Sequence, residues 1–186
     1  MQGDKIEIDK SILTGKLKSR TLLIEPVLNW INYSALIFSF PLSSALLLFA
    51  QINREGNLFY VTNLLIATIL FCGFLLYSVL NLNKLRRVPG VSKELNIELT
   101  TEIAGKLGWK IITRDQQLLI ANPSGRRFSS NWGRQVVIIY DKQDVLINST
   151  YYGLHDFKSP FHWFGNRKLE RQLIERFEEN IKKTNR

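Results

Sequence analysis

The chain is poor in residues that carry chemistry. Among its 186 residues are one cysteine, Cys72, and two histidines, His155 and His162. A single cysteine excludes an intrachain disulfide and a cysteine-based zinc site. The phosphate-binding patterns G-x-x-x-x-G-K and G-x-G-x-x-G are missing, as are the G-x-S-x-G nucleophile turn and the H-E-x-x-H zinc pair. His155 and His162 lie seven residues apart with Asp156 between them, a spacing that holds a metal only if the loop folds back on itself. Loop histidines more commonly serve packing or the surface. Asp115, Asp141 and Asp144 fall in turns, not on adjacent strands, which disfavours a two-metal nuclease site. These absences lead us to expect a non-enzymatic protein with no catalytic residues, no metal and no cofactor.

The second thing missing is charge, over two long stretches. Pro26 to Asn53 and Gly56 to Asn83 each run 28 residues without Asp, Glu, Lys or Arg, separated only by Arg54 and Glu55. A helix needs about 20 apolar residues to cross a hydrocarbon layer of roughly 30 Å. The expectation is a transmembrane hairpin at 26–83, with spans at about 30–50 and 59–80. Trp30 and Tyr33 open the first span, while Phe59, Tyr60 and Tyr77 mark the ends of the second, where aromatic rings favour the headgroup level. Asn63, within a turn of the boundary, reads as interfacial. Neither stretch contains an ionisable residue of the kind that marks a coupled transporter. A cleaved signal peptide is not expected, because the apolar run starts late, is too long, and is followed at once by another.

Pro41 falls near the middle of the first span, where it removes a backbone hydrogen bond and predicts a kink. Ser39, Ser43 and Ser44 surround it, and their hydroxyls can satisfy carbonyls that a kink frees. A serine-rich span either lines a pore or packs closely on a neighbour; small residues favour packing. Ala67 and Gly73 offer small surfaces on the second span, and Cys72 reads as a small packing residue. The hairpin is thus expected to anchor the chain and to support homo-oligomers. Five basic residues (Lys5, Lys10, Lys16, Lys18, Arg20) precede the spans, Arg54 lies between, and Lys84, Arg86, Arg87 and Lys93 follow. The positive-inside rule then places both termini in the cytoplasm, at a bacterial inner (cytoplasmic) membrane.

The rest of the chain is polar. The formal charge is +9, and from Lys84 onward 19 Lys or Arg face 11 Asp or Glu. Such a surplus suits an anionic partner, although residues flanking membrane helices on the cytoplasmic side are basic in any case. Residues 1–25 form a mixed-charge segment whose alternation at 5–9 and 16–18 fits either short strands or a surface-lying piece. Residues 90–186 read as a cytoplasmic α+β domain: a helix, four to six antiparallel strands and a helix. Ser92 caps a first helix over 92–107, with Leu95, Leu99, Ile103 and Leu107 every four residues and Gly108 as its stop. Short β-rich runs follow at 109–114, 117–122, 126–129, 134–140 and 145–149, separated by turn residues. An aromatic loop over 150–165 leads to a last helix capped by Asn166, with a stripe of Leu169, Leu173, Phe177 and Ile181.

One constellation points to a ligand. Arg126, Arg127 and Arg134 bracket Phe128 and Trp132 among small residues, and Arg167 and Lys168 open the last helix directly after Trp163 and Phe164. Arginine forms bidentate bonds to phosphate, a helix start presents free N–H groups, and an aromatic ring gives a base a face to stack on. Arg126, Arg127, Trp132, Arg134, Trp163, Arg167 and Lys168 are therefore candidates for binding a nucleotide or an anionic-lipid headgroup; a solvated loop and a helix with ordinary surface arginines is the plainer alternative. Double-stranded nucleic acid is not expected.

In layout alone, two spans followed by a β-rich cytoplasmic module, the chain resembles bacterial membrane effectors of nucleotide-signal defence systems. That resemblance implies a cyclic nucleotide bound by the soluble part and a membrane disrupted by the hairpin. Three functions are thus expected in order: a membrane-anchored sensor or interaction module, such a nucleotide-gated effector, and an accessory subunit of a larger membrane complex.

Overall fold

A computed structural model describes residues 6–20, 24–52, 58–123, 133–152 and 158–184. The chain divides into two compact units, one formed by Thr21–Asn81 and the other by the segment up to Arg20 together with everything from Leu82 onward.

The first unit is a pair of long helices, α2 (Ile24–Ile52) and α3 (Leu58–Asn81). Both are long and apolar enough to cross a membrane. A soluble core helix hides its apolar side chains, and these do the opposite. Of the 26 large hydrophobic side chains exposed among the described residues, 22 lie on α2 and α3. The contacts between the helices run antiparallel: Ile37 meets Cys72, Phe40 meets Phe71 edge-on at 5.5 Å, and Ser44 meets Thr68 through a 2.9 Å hydroxyl bond.

Helix α2 continues through Pro41. Proline has no N–H, so the carbonyl four residues back, Ile37 O, loses its helical donor. The Cys72 thiol donates to that carbonyl at 3.0 Å from the opposite helix. The sequence points to the serines for this task, but Ser39 and Ser43 donate to Leu36 O and Phe40 O of their own helix and stay exposed. Ser44 alone is buried against α3. Ala67 and Gly73 lie on exposed faces, and a Cβ added at Gly73 would meet nothing within 4 Å.

The second unit is built on a five-stranded antiparallel sheet in the order β1-β5-β4-β3-β2. Its strands are β1 (Arg86–Pro89), β2 (Lys110–Arg114), β3 (Leu118–Asn122), β4 (Arg134–Asp141) and β5 (Asp144–Tyr151), with helices α4 (Lys93–Lys106) after β1 and α5 (Trp163–Thr184) at the end. Helix α4 begins where the sequence indicates: Ser92 Oγ accepts from Leu95 N, and Gly108 takes the left-handed conformation (φ 68°) after the last turn. The tight β4–β5 connection places Lys142 at φ 54°.

Residues of β3, β4 and β5 are buried on both faces, because each face has its own cover. Leu119, Val136, Ile138, Tyr140, Val145 and Ile147 meet α4 and α5 through Leu99, Ile103, Leu173 and Phe177. The opposite face, Leu118, Ile120, Val137, Ile139 and Leu146, is covered by Leu17 and Leu85 with Ile6, Ile8 and Ile12. The residues ahead of the first apolar helix therefore complete the core of the sheet. They form a short helix, α1 (Ile8–Thr14), between isolated bridges pairing Ile6 with Ser19 and Lys16 with Lys84, and not a run of strands.

Two further expectations change. Strand β1 occupies Arg86–Pro89, where the sequence shows only basic residues following the second span, and α5 starts at Trp163, so Asn166 is a buried residue of its first turn and not its cap. The expected strand at 126–129 lies outside the described residues.

Candidate functional site

Antiparallel pairing sets Arg134, the first residue of β4, opposite Tyr151, the last of β5. Both belong to the sheet face covered by α5, since they share it with Val136 and Ser149. The Arg134 guanidinium reaches the first turn of α5, where a Cβ added at Gly165 would collide with it. The Tyr151 ring stacks on His162 with centroids 3.8 Å apart and planes at 12°. Ser159 Oγ meets His162 Nδ1 at 3.0 Å, while Ser159 N donates to Tyr151 O. Gly133 is needed just before β4: it sits at φ 76°, its carbonyl accepts from Tyr152 N, and a Cβ there would run into the Tyr152 carbonyl.

Charge in this corner is unevenly exposed. Burial lowers the affinity of both Arg134 and His162 for a proton, and the Arg134 charge lowers it further at His162, favouring a neutral imidazole. Arg167 Nη1 donates to Glu170 Oε2 at 2.6 Å, and Glu170 Oε1 accepts the Ser149 N–H of β5 at 2.9 Å. Glu170 is almost wholly buried, and burial raises its pKa against the opposing pull of Arg167. Of the seven candidate residues, the fold brings Arg134 and Arg167 to the start of α5, with Lys168 exposed on the same helix. Arg167, however, directs its charge inward, to Glu170. Trp163 opens α5, while Arg126, Arg127 and Trp132, like His155, lie outside the described residues. Among the described residues no group of three His, Cys, Asp or Glu converges in a way that would hold a metal.

The stretch 82–85, which leaves the second apolar helix, is held from three sides. Asn83 O accepts from Leu17 N at 2.6 Å, and Leu85 N donates to Gly15 O at 2.9 Å. The Asn148 amide of β5 donates to both Leu82 O and Lys84 O at 3.0 Å, and Thr150 Oγ1 fixes that amide by donating to its oxygen at 2.7 Å. Lys158 Nζ donates to Asn83 Oδ1 and lies 5.9 Å from the Tyr152 ring centroid. Sequence reasoning missed Asn148 and Lys158, since neither belongs to a motif. The one available signal was a polar residue, Asn148, inside an otherwise apolar β run.

Lys158 leaves part of its stem accessible, but burial of the amino group pulls its pKa down to about 8. The unfolded chain keeps this proton to near its ordinary value of 10.5, whereas the fold releases it near 8. Between those values the unfolded state binds more protons, so stability rises with pH and is lost again as pH falls through 8. The domain is expected to gain about 2 kcal/mol from pH 8 to 9.5. That window lies below the range where Tyr140, pushed up to about 12 by burial, acts in the opposite sense. Denaturant midpoints at the two pH values check this, and Lys158→Met should flatten the difference.

A groove of about 280 Å³ also lies between edge strand β1 and α5, lined by Arg86, Arg87, Arg171, Ile174 and Glu178 among others. Arg87 is engaged there by Asp141 and Asp144 at 2.9 and 2.7 Å. No protein-family model, curated protein or solved structure matches the chain.

Proposed function

We propose that the protein is a membrane-anchored, non-enzymatic sensor or interaction module, inserted through α2 and α3 in a bacterial cytoplasmic membrane. The observation that carries this reading is the arrangement of the folded unit, in which residues 6–20 and those from Leu82 onward share one core. The apolar pair leaves and re-enters a single domain, so a hairpin crossing a bilayer would have both its ends on the domain's side. The surplus of basic residues before and after the spans makes that side the cytoplasm. The two helices expose apolar side chains over most of their length, which suits lipid and would be costly in water. The protein should remain in the membrane fraction through an alkaline carbonate wash and leave it only with detergent. Release by carbonate would contradict the reading.

A second reading, the nucleotide-gated effector, draws on the corner at the start of α5. Arg134 lies against the backbone of that first turn beside the stacked Tyr151 and His162, a setting suited to a phosphate next to an aromatic face. Calorimetry of the full chain in mild detergent against cyclic and linear nucleotides, and against anionic vesicles, separates the ligands. Nucleotide binding should fall roughly 5- to 150-fold when a stacking aromatic is removed; lipid binding should tolerate Trp132→Leu and weaken steeply with salt.

A further inference from the structure

The start of α5 carries two exposed phenylalanines on an otherwise polar domain. Phe161, in the 3-10 turn Pro160–His162, is 47% exposed and Phe164 is 67% exposed. Among the described residues outside α2 and α3, only Leu13 and Ile112 are comparable exposed large apolar side chains. Phe161, Phe164, Lys168 and Arg171 recur at i, i+3, i+7 and i+10, the spacing of one helical stripe, and all four are exposed.

Two observations indicate what this stripe meets. First, the segment is tied to the exit of the second apolar helix: Lys158, three residues before Phe161, bonds to Asn83, two residues after α3 ends at Asn81. A chain advances at most about 3.6 Å per residue, so Asn83 lies within roughly 7 Å of the end of that helix. Second, the stripe is ordered by chemistry along the α5 axis. At 1.5 Å per residue, Lys168 and Arg171 follow Phe164 by about 6 and 10 Å, and the first acid past them, Glu175, comes about 16 Å along. Aromatic side chains, then cations, then acids is the order in which a membrane interface accepts them, from the acyl boundary through the phosphates to water.

We infer that Phe161 and Phe164 insert into the interface of the membrane that holds α2 and α3, with Lys168 and Arg171 meeting anionic lipid phosphates. This second membrane contact rests on the anchoring reading above. It is distinct from the Arg134 corner, because the residues that carry it are exposed on α5 and on the turn before it. The lipid could attract the cations alone; the paired phenylalanines make insertion, not mere adsorption, the distinguishing claim.

The test is a depth measurement on the full chain in vesicles of mixed neutral and anionic phospholipid. In a Cys72→Ala background, spin labels are placed one at a time at Phe164, Leu70 and Glu178, and collision with oxygen is compared with collision with a water-soluble nickel chelate. Phe164 is exposed, so its replacement leaves the core intact. The expected result is an oxygen-to-nickel ratio at 164 several-fold above that at 178 and below that at 70, with the same outcome when the label is moved to Phe161. Equal ratios at 164 and 178, with 70 in lipid, would overturn the insertion while leaving the anchor standing. A label at 164 shielded from both reagents would overturn it in favour of contact with another protein surface. A water-accessible label at 70 would overturn the anchoring reading itself, and the insertion with it.

Discussion

Arg167→Ala is expected to destabilise the sheet domain by about 3 kcal/mol, the low end for removing one partner of a buried ion pair. The cost arises because the Glu170 carboxylate stays behind, only 1% exposed and held by the Ser149 N–H of β5. Arg86 lies close enough to offset part of the loss. Such a domain has about 5–15 kcal/mol in total, so its melting temperature should fall by roughly 10 °C or more. Replacing both partners, Arg167→Leu with Glu170→Leu, should recover part of the loss, because no buried charge is then left unpaired and only the Ser149 N–H loses its acceptor. The same variants separate two roles for Arg167. A ligand-binding arginine on a solvated helix would leave the melting temperature unchanged and alter affinity alone.

The second large effect concerns where the domain begins. A chain starting at Gly90 contains every element after β1, yet it lacks Leu17, Leu85 and Val88, each buried to 6% exposure or less. At about 1.5–3 kcal/mol for each such side chain, the loss is roughly 5–9 kcal/mol, comparable to the whole stability of the domain. The face bearing Leu118, Ile120, Val137, Ile139 and Leu146 would also open to water. This truncation should be insoluble or molten, with a broad unfolding transition. By contrast, joining Arg20 to Leu82 through a flexible linker in place of α2 and α3 should give a soluble, cooperatively folding domain. If the Gly90 fragment folds as well as the joined one, the N-terminal segment is not part of the core.

What the sequence disclosed followed the range of the interactions involved. Helix α4 was legible because its signals are local: the Ser92 cap, the four-residue apolar spacing and Gly108. Strand β4 was legible through its β-branched run, Val136 to Ile139. Strand β1 was not, because an edge strand of four residues with only Val88 buried has no periodicity, and Arg86-Arg87 after an apolar run reads as a membrane flank. Helix α1 was hidden for a related reason. Its seven residues have no side-chain cap, and the two that pack on the sheet, Ile8 and Ile12, meet Leu118, Ile120, Val137, Ile139 and Leu146, more than a hundred residues away. In the candidate site, Arg134 and Arg167 were visible as charges near a helix start, but their roles depend on tertiary neighbours. Gly165 gives Arg134 its place, and the burial of Glu170 turns Arg167 inward. The role of Cys72 likewise depends on a partner that sequence leaves unspecified, the Ile37 carbonyl left without a donor by Pro41.

The most direct test of a domain anchored by an apolar hairpin is topology in living bacteria. A reporter enzyme active only outside the cytoplasmic membrane is fused after Arg186 in one chain and inserted at Gly56, between the apolar helices, in another. The anchored-module account predicts an inactive enzyme at Arg186 and an active one at Gly56. An active enzyme at Arg186 with an inactive one at Gly56 would put the domain on the wrong side of the membrane. Inactivity at both positions, with both fusions intact, would mean that α2 and α3 do not cross it.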